Sequence, residues 1–206
     1  MYAAILLLLS FAAIGVSAIN PFSWGVWFTE IVWAFLAIAI MGVTRRKCPY
    51  SKLAYTVMFV WVVLQCIGAH YSFEKVPLDW LTGPLGLTRN PFDRIAHTMV
   101  GFFALPLMEY VWHNRLVNGK KMVMYTGITS LIALAGVWEL FEWVYAEIEG
   151  GDLGAAFLGS QGDVWDAQKD ILCDSIGAAL SAVIWRCRQP ADTPADAEHP
   201  AASEGK

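Results

Sequence analysis

Charge is scarce in this chain: 16% of its 206 residues are charged and 57% are hydrophobic, where globular domains carry about one-quarter charged residues. That deficit excludes an ordinary water-solvated domain. The formal net charge is −4 and no basic arm interrupts the chain, which excludes a nucleic-acid partner, since that partner wants a basic face. Cysteine is sparse, with four residues at no CxxC or zinc-ribbon spacing. Cys48 and Cys187 fall in basic segments expected to be cytoplasmic, where disulfides are rare. Cys66 and Cys173 fall in apolar runs, where free cysteine acts as a small hydrophobe. No HExxH, phosphatase or kinase motif occurs, and no internal repeat is visible.

What the chain has instead is long apolar runs and ten tryptophans, a residue favoured at the membrane–water interface. A helix needs about 20 mainly apolar residues to cross the hydrocarbon layer. Stretches at 2–19, 24–43, 53–70, 95–112, 122–144 and 171–185 meet or approach this, so residues 1–187 are expected to form an all-α domain of six transmembrane helices. The sixth run is the weakest, because Asp174 interrupts its start. Its segment Ser175, Gly177, Ser181 and Ala182 carries small residues at four-residue spacing, a surface that packs closely against other helices in lipid. Val16-Ser17-Ala18 resembles a signal-peptidase site, but the start lacks the basic n-region of a secretory signal. The first run is therefore read as a retained helix. Residues 188–206, rich in Pro, Ala, Asp and Glu, cannot bury enough apolar surface to order themselves and are expected to be a disordered cytoplasmic tail.

Orientation follows from Lys and Arg in short loops. Arg45, Arg46, Lys47 and Lys52 follow the second run; Arg115, Lys120 and Lys121 follow the fourth; Arg186 and Arg188 end the sixth. These alternate correctly for one face of the membrane. The opposite face keeps Lys75, Arg89, Arg94 and Lys169. Both termini are thus expected in the cytoplasm.

With that orientation the intramembrane polar residues gather in the outer half. Glu30 lies roughly 9 Å into the second helix at 1.5 Å per residue. Gln65 and His70 end the third, while Asp93, Arg94 and His97 begin the fourth. Glu139 and Glu142 come late in the fifth, and Asp163, Asp166, Asp170 and Asp174 lead into the sixth. Charges inside a bilayer are costly and mark functional sites by default. Asp93 and His97 are four apart and Glu139 and Glu142 three apart, so each pair shares a helix face.

Carboxylates and imidazole together suit a divalent metal such as Zn, Mn or Mg, which would activate water for attack on a phosphate, ester or amide. The candidate metal ligands are His97, Asp93, Glu142, Asp170 and Asp174. Glu139, Glu142, His97 and Asp93 are the candidate catalytic groups. Without metal, Glu139 and Glu142 would share a proton as an acid/base pair. Arg94, Arg89, His70, Gln161, Asp163 and Asp166 are the candidate ligand-binding residues. The competing reading is a structural network in which the two arginines neutralise the acids.

Several of these residues carry a resemblance. Gly68-Ala-His70-Tyr71, the run from Arg89 to His97, Glu139-Leu-Phe-Glu142-Trp143, and the run from Leu158 to Asp166 together resemble the YjdF-like family of bacterial inner-membrane proteins. The likeness spans roughly residues 1–187 in order and implies an inner-membrane location. A weaker likeness reaches VanZ-like proteins through Asp93-Arg94 with His97, a Glu late on the next helix, and Asp170, Asp174, Gly177 and Ala178. Position 142 is Glu here where that family usually has Gln. This likeness implies an envelope lipid or peptidoglycan-related ligand.

The expectation is therefore a membrane protein with an outward-facing site that binds or hydrolyses an envelope lipid or its head group. The rival readings are a small proton-coupled transporter and a structural or assembly factor.

Overall fold

Two serines start the first long helices. Ser23 accepts a hydrogen bond from the Val26 N–H and Ser51 one from the Ala54 N–H, each occupying a donor that the first helical turn leaves unpaired. In the computed structural model, which describes residues 1–190, the chain forms α1 (Tyr2–Ser17), α2 (Trp24–Thr44), α3 (Lys52–Tyr71), α4 (Asp79–Leu85), α5 (Phe92–Gly101), α6 (Ala104–His113), α7 (Lys120–Glu149), α8 (Gly151–Leu158) and α9 (Asp166–Cys187). A short 3-10 turn, Phe73–Lys75, precedes α4. No strand occurs among the described residues, so the fold is all-helical. Most of the tail expected to be disordered, residues 191–206, lies outside the described residues.

Four stretches are long and apolar enough to cross a membrane: Trp24–Thr44, Lys52–Tyr71, Phe92–His113 and Lys120–Glu149. α1 is apolar but has 16 residues, and the first half of α9 carries Asp166, Lys169, Asp170 and Asp174. The expected fourth span is not one helix. It breaks at Phe102–Phe103 into α5 and α6. Pro106 explains the break, since it has no N–H for the Phe102 carbonyl and its ring crowds that oxygen. Two other donors serve the carbonyl: the Leu105 N–H at 3.0 Å and the Ser181 hydroxyl of α9 at 3.2 Å. The short helices α4 and α8 lie outside the six apolar runs.

The long helices alternate in direction. Tyr2 meets Thr56 while the Phe22 N–H donates to the His70 carbonyl, so α1 runs parallel to α3, and α2 returns antiparallel along α3. Glu109 near the end of α6 accepts from the Ser51 N–H at the start of α3. Lys120 at the start of α7 donates to the Pro190 carbonyl just beyond α9. One end of the bundle therefore gathers the basic residues from 45–52, 115–121 and 186–188. The other end gathers the starts of α5 and α9 with the end of α7.

Two apolar cores hold the bundle. One joins α1, α2 and α3 through Ile14, Trp27, Ile31, Trp61 and Val62. The other joins α6, α7 and α9 through Leu105, Met108, Val123, Leu131 and Trp185. Between α5 and α9 the backbones nearly touch. A side-chain carbon at Gly101 would collide with the Asp174 carbonyl, and one at Gly177 with the Thr98 carbonyl. The small-residue face of α9 thus lets a helix full of carboxylates sit against α5, and that contact sets the site.

Candidate functional site

The close approach of α5 and α9 brings His97 to Asp174. His97 Nδ1 lies 3.0 Å from Asp174 Oδ2, and Asp174 is fully buried at 0% exposure. With Nδ1 turned to Asp174, Nε2 is the ring nitrogen that faces the other carboxylates. It lies 3.7 Å from Asp93 Oδ1, one turn earlier on α5, and 4.0 Å from Glu139 Oε1 on α7. Asp174 Oδ1 and Glu139 Oε1 are both buried and make no hydrogen bond among the described residues. Buried polar atoms left in that state are uncommon and call for an explanation, a bound ion among them.

Two arginines form a polar rim over this group. Arg94 pairs with Asp166 at 2.7 Å and Asp170 at 2.5 Å, reaches Asp163 at 3.4 Å, and donates to the Asp166 carbonyl. Arg89 pairs with Asp93 at 3.1 Å and Asp166 at 2.6 Å. It also donates to the carbonyls of Ser160 and Gly159. The loop between α8 and α9 is thereby tied to α5.

A second tie is reciprocal. The Asn90 N–H donates to Gln161 Oε1 at 2.8 Å, and Gln161 Nε2 donates to the Asn90 carbonyl at 3.2 Å. Asn90 also accepts from the Phe92 N–H, a short Asx turn that starts α5. Asp163, in the loop outside the helices, accepts from Lys169 Nζ at 2.6 Å and from the Trp165 N–H at 3.1 Å. The Lys169 bond, with the Trp165 N–H second, holds its carboxyl below the usual range.

Beneath the rim lies a cavity of about 550 Å³, within the usual size range of small-molecule sites. Glu30, Asp93, His97, Glu142 and Asp174 line its polar end. Glu30 accepts from Gln65 Nε2 at 2.8 Å. The rest of the lining is mostly apolar and follows α2 and α7 toward the basic end of the bundle, as far as Thr44 and Tyr50.

The structure thus brings together Asp93, His97, Glu139, Glu142, Asp170 and Asp174, with Arg89, Arg94, Asp163, Asp166 and Gln161 as rim and latch. It does not bring in His70, whose Nδ1 contacts the Ser17 carbonyl at 3.1 Å and whose ring packs on Tyr71. Glu30 and Gln65, noted in the sequence only as outer-half polar residues, join the cavity wall. Their depth and facing apolar positions were the available signal, but the pairing across α2 and α3 has no local sequence mark.

The donor set fits a divalent cation. Asp93, His97 and Asp170 each offer a ligand atom, all within 4.8 Å of one another. Two bonds of about 2.0–2.2 Å to one ion place their ligand atoms up to roughly 4.4 Å apart, and Nε2 stands within that span of Asp93 at 3.7 Å and of Glu139 at 4.0 Å. Asp174 occupies the other ring nitrogen, the position from which a carboxylate orients a metal-binding histidine. Glu142 lies outside the triplet, on the cavity wall.

Residues 2–190 match the family model described as "Predicted membrane protein (DUF2238)". The chain is 32% identical over 184 residues to "Inner membrane protein YjdF" of Escherichia coli (strain K12), covering 85% of this chain and 84% of that protein. No solved structure matches it. With its apolar helices, this is a multi-pass protein of the bacterial inner membrane. The chain belongs to the DUF2238 family of membrane proteins, the family of YjdF.

Proposed function

We propose that the protein crosses the inner membrane six times with both termini in the cytoplasm, and that its outward pocket binds a divalent cation and, through it, the head group of an envelope lipid. The alternating helix directions support the topology, with α1 and α9 as the two further crossings. The acidic face of α9, with Asp170 and Asp174, is buried against α5, α6 and α7, while Leu172, Ile176, Leu180 and Val183 form its exposed face, which lets the helix carry charges that lipid would not accept.

The observation that carries the functional reading is the His97–Asp174 pair, which leaves Nε2 facing Asp93 and Glu139 beside buried, unpaired carboxylate oxygens. Acids outnumber bases in this group, so a phosphate would be repelled without a cation between them. The bound ion would supply positive charge to a phosphate oxygen and, in a hydrolytic reaction, acidify a water. The chain's own residues would do the rest. Asp174 orients His97, Arg94 positions Asp170, and Glu139 or Glu142 would accept a proton. Glu109, near the opposite end of the bundle, is engaged at the start of α3, which favours a one-sided site over a carrier path.

Titration of a soluble short-chain phospholipid, with and without Zn²⁺ or Mn²⁺, tests this reading. Cation-dependent binding that His97→Ala abolishes is expected. Binding of equal strength without cation would contradict it.

A further inference from the structure

The cavity continues away from the carboxylates as a groove between α2 and α7, and its lining describes a ligand. Along α2 it runs from Glu30 to Thr44, about 21 Å at 1.5 Å per residue. One leaflet's hydrocarbon is about half of 30 Å deep, so the groove is long enough for one acyl chain. α2 and α7 do not pack along their lengths. They meet near the polar end through Trp33, whose ring makes edge contacts with Trp138 and Phe141 at 5.2 and 5.6 Å. Below that bridge the groove walls include Leu36, Ile40, Leu134 and Val137, which are also exposed on the outside of the bundle. In a bilayer that outside is lipid, so the groove opens sideways into the membrane.

Two donors near the polar end narrow the choice further. The indole Nε1 atoms of Trp33 and Trp61 are buried, belong to residues lining the cavity, and have no acceptor among the described residues. Trp33 lies one turn inward from Glu30 on α2, and Trp61 one turn inward from Gln65 on α3. Both therefore sit just below the head-group position. A buried indole N–H usually finds an acceptor, and leaving it unsatisfied is destabilising. The ester carbonyls of a glycerolipid lie at this depth, immediately below the phosphate.

We propose that the groove is the seat of a diacyl phospholipid. The phosphate faces the His97 cluster, the ester carbonyls accept from Trp33 and Trp61, and one acyl chain lies between α2 and α7. This rests on the head-group reading above and specifies its ligand. A polyprenyl phosphate would present the same kind of phosphate but no ester carbonyl.

Native mass spectrometry of the full chain from gentle detergent, read beside its metal content, tests the assignment. Wild type should retain one diacyl phospholipid per chain. Ala37→Trp and Leu134→Trp fill the groove from opposite walls and should reduce retention at least tenfold with metal content unchanged. Leu134 is half exposed, so that variant keeps the core intact. An ester-linked phospholipid should outcompete its diether analogue, and Trp33→Phe should narrow that preference. Undiminished retention in both Trp variants would overturn the proposal, as would a polyprenyl phosphate as the retained lipid. Loss of phospholipid in both variants of a protein that binds no metal would support the groove while contradicting the cation reading.

Discussion

His97 Nδ1 stands 3.0 Å from Asp174 Oδ2, across the contact where Gly101 and Gly177 let α5 and α9 touch. One backbone contact thus sets the direction of the only histidine in the cluster. Its consequences are open to measurement.

Asp174→Ala should lower divalent-cation affinity by about 10–100-fold, the usual effect of removing a carboxylate that orients a ligating histidine. The protein should still bind metal, more weakly. Isothermal titration on detergent-purified protein measures this, and an unchanged affinity would remove Asp174 from the site.

Gly177→Val should separate α5 from α9, because its side chain meets the Thr98 carbonyl. Overpacking of this kind costs about 1–3 kcal/mol, and the lost approach adds to it. A lower Tm in a thermal-shift assay, with weaker cation binding, is the expected result. The wild-type Tm in this variant would show that the helices do not pack this closely.

Arg94→Ala leaves Asp170, 2% exposed, without its cation. Breaking a buried pair from one side typically costs about 3–5 kcal/mol. Arg94→Lys should recover only part of this, since one ammonium cannot copy the fork that reaches Asp163, Asp166 and Asp170. Urea or detergent denaturation compares the three proteins, and equal stability of Arg94→Ala and wild type would contradict the network.

The latch around Asp163 has a defined pH sense. Its carboxyl is held below the ordinary value of 3.8, first by Lys169. A depressed acid contributes stability above its unfolded pKa and loses it as pH falls through the folded one. Lys169→Ala should therefore let the loop open at a higher pH than in wild type. Hydrogen exchange at the Trp165 amide reads this, and coincident profiles would refute it.

The topology has its own test. Val164, 84% exposed in the α8–α9 loop, and Leu116, 58% exposed between α6 and α7, belong to opposite ends of the bundle. Val164→Cys should react with an impermeant thiol reagent in intact spheroplasts, and Leu116→Cys only after lysis. The reverse pattern would invert the orientation.

Much of the fold was legible because its signals are local. Apolar run length marked α2, α3 and α7 within a few residues, and the small residues of α9 announced a packed helix before any neighbour was known. The break at Phe102 was also written locally, in Pro106, yet the apolar run concealed it. α4 and α8 are too short to show a period. For the site, four-residue spacing paired Asp93 with His97, but which carboxylate faces which ring nitrogen depends on the α5–α9 contact. Nor could spacing separate His70 from the cluster, since its bond to the Ser17 carbonyl joins residues far apart in sequence.

The central claim is that the His97 cluster holds a divalent cation. Metal analysis by mass spectrometry on gently purified protein, wild type beside His97→Ala and Asp93→Ala, tests it most directly. Near-stoichiometric Zn or Mn in wild type, lost in both variants while the fold persists, is the predicted result. Wild type that takes up no divalent metal even after equilibration with Zn²⁺, Mn²⁺ and Mg²⁺ would contradict it.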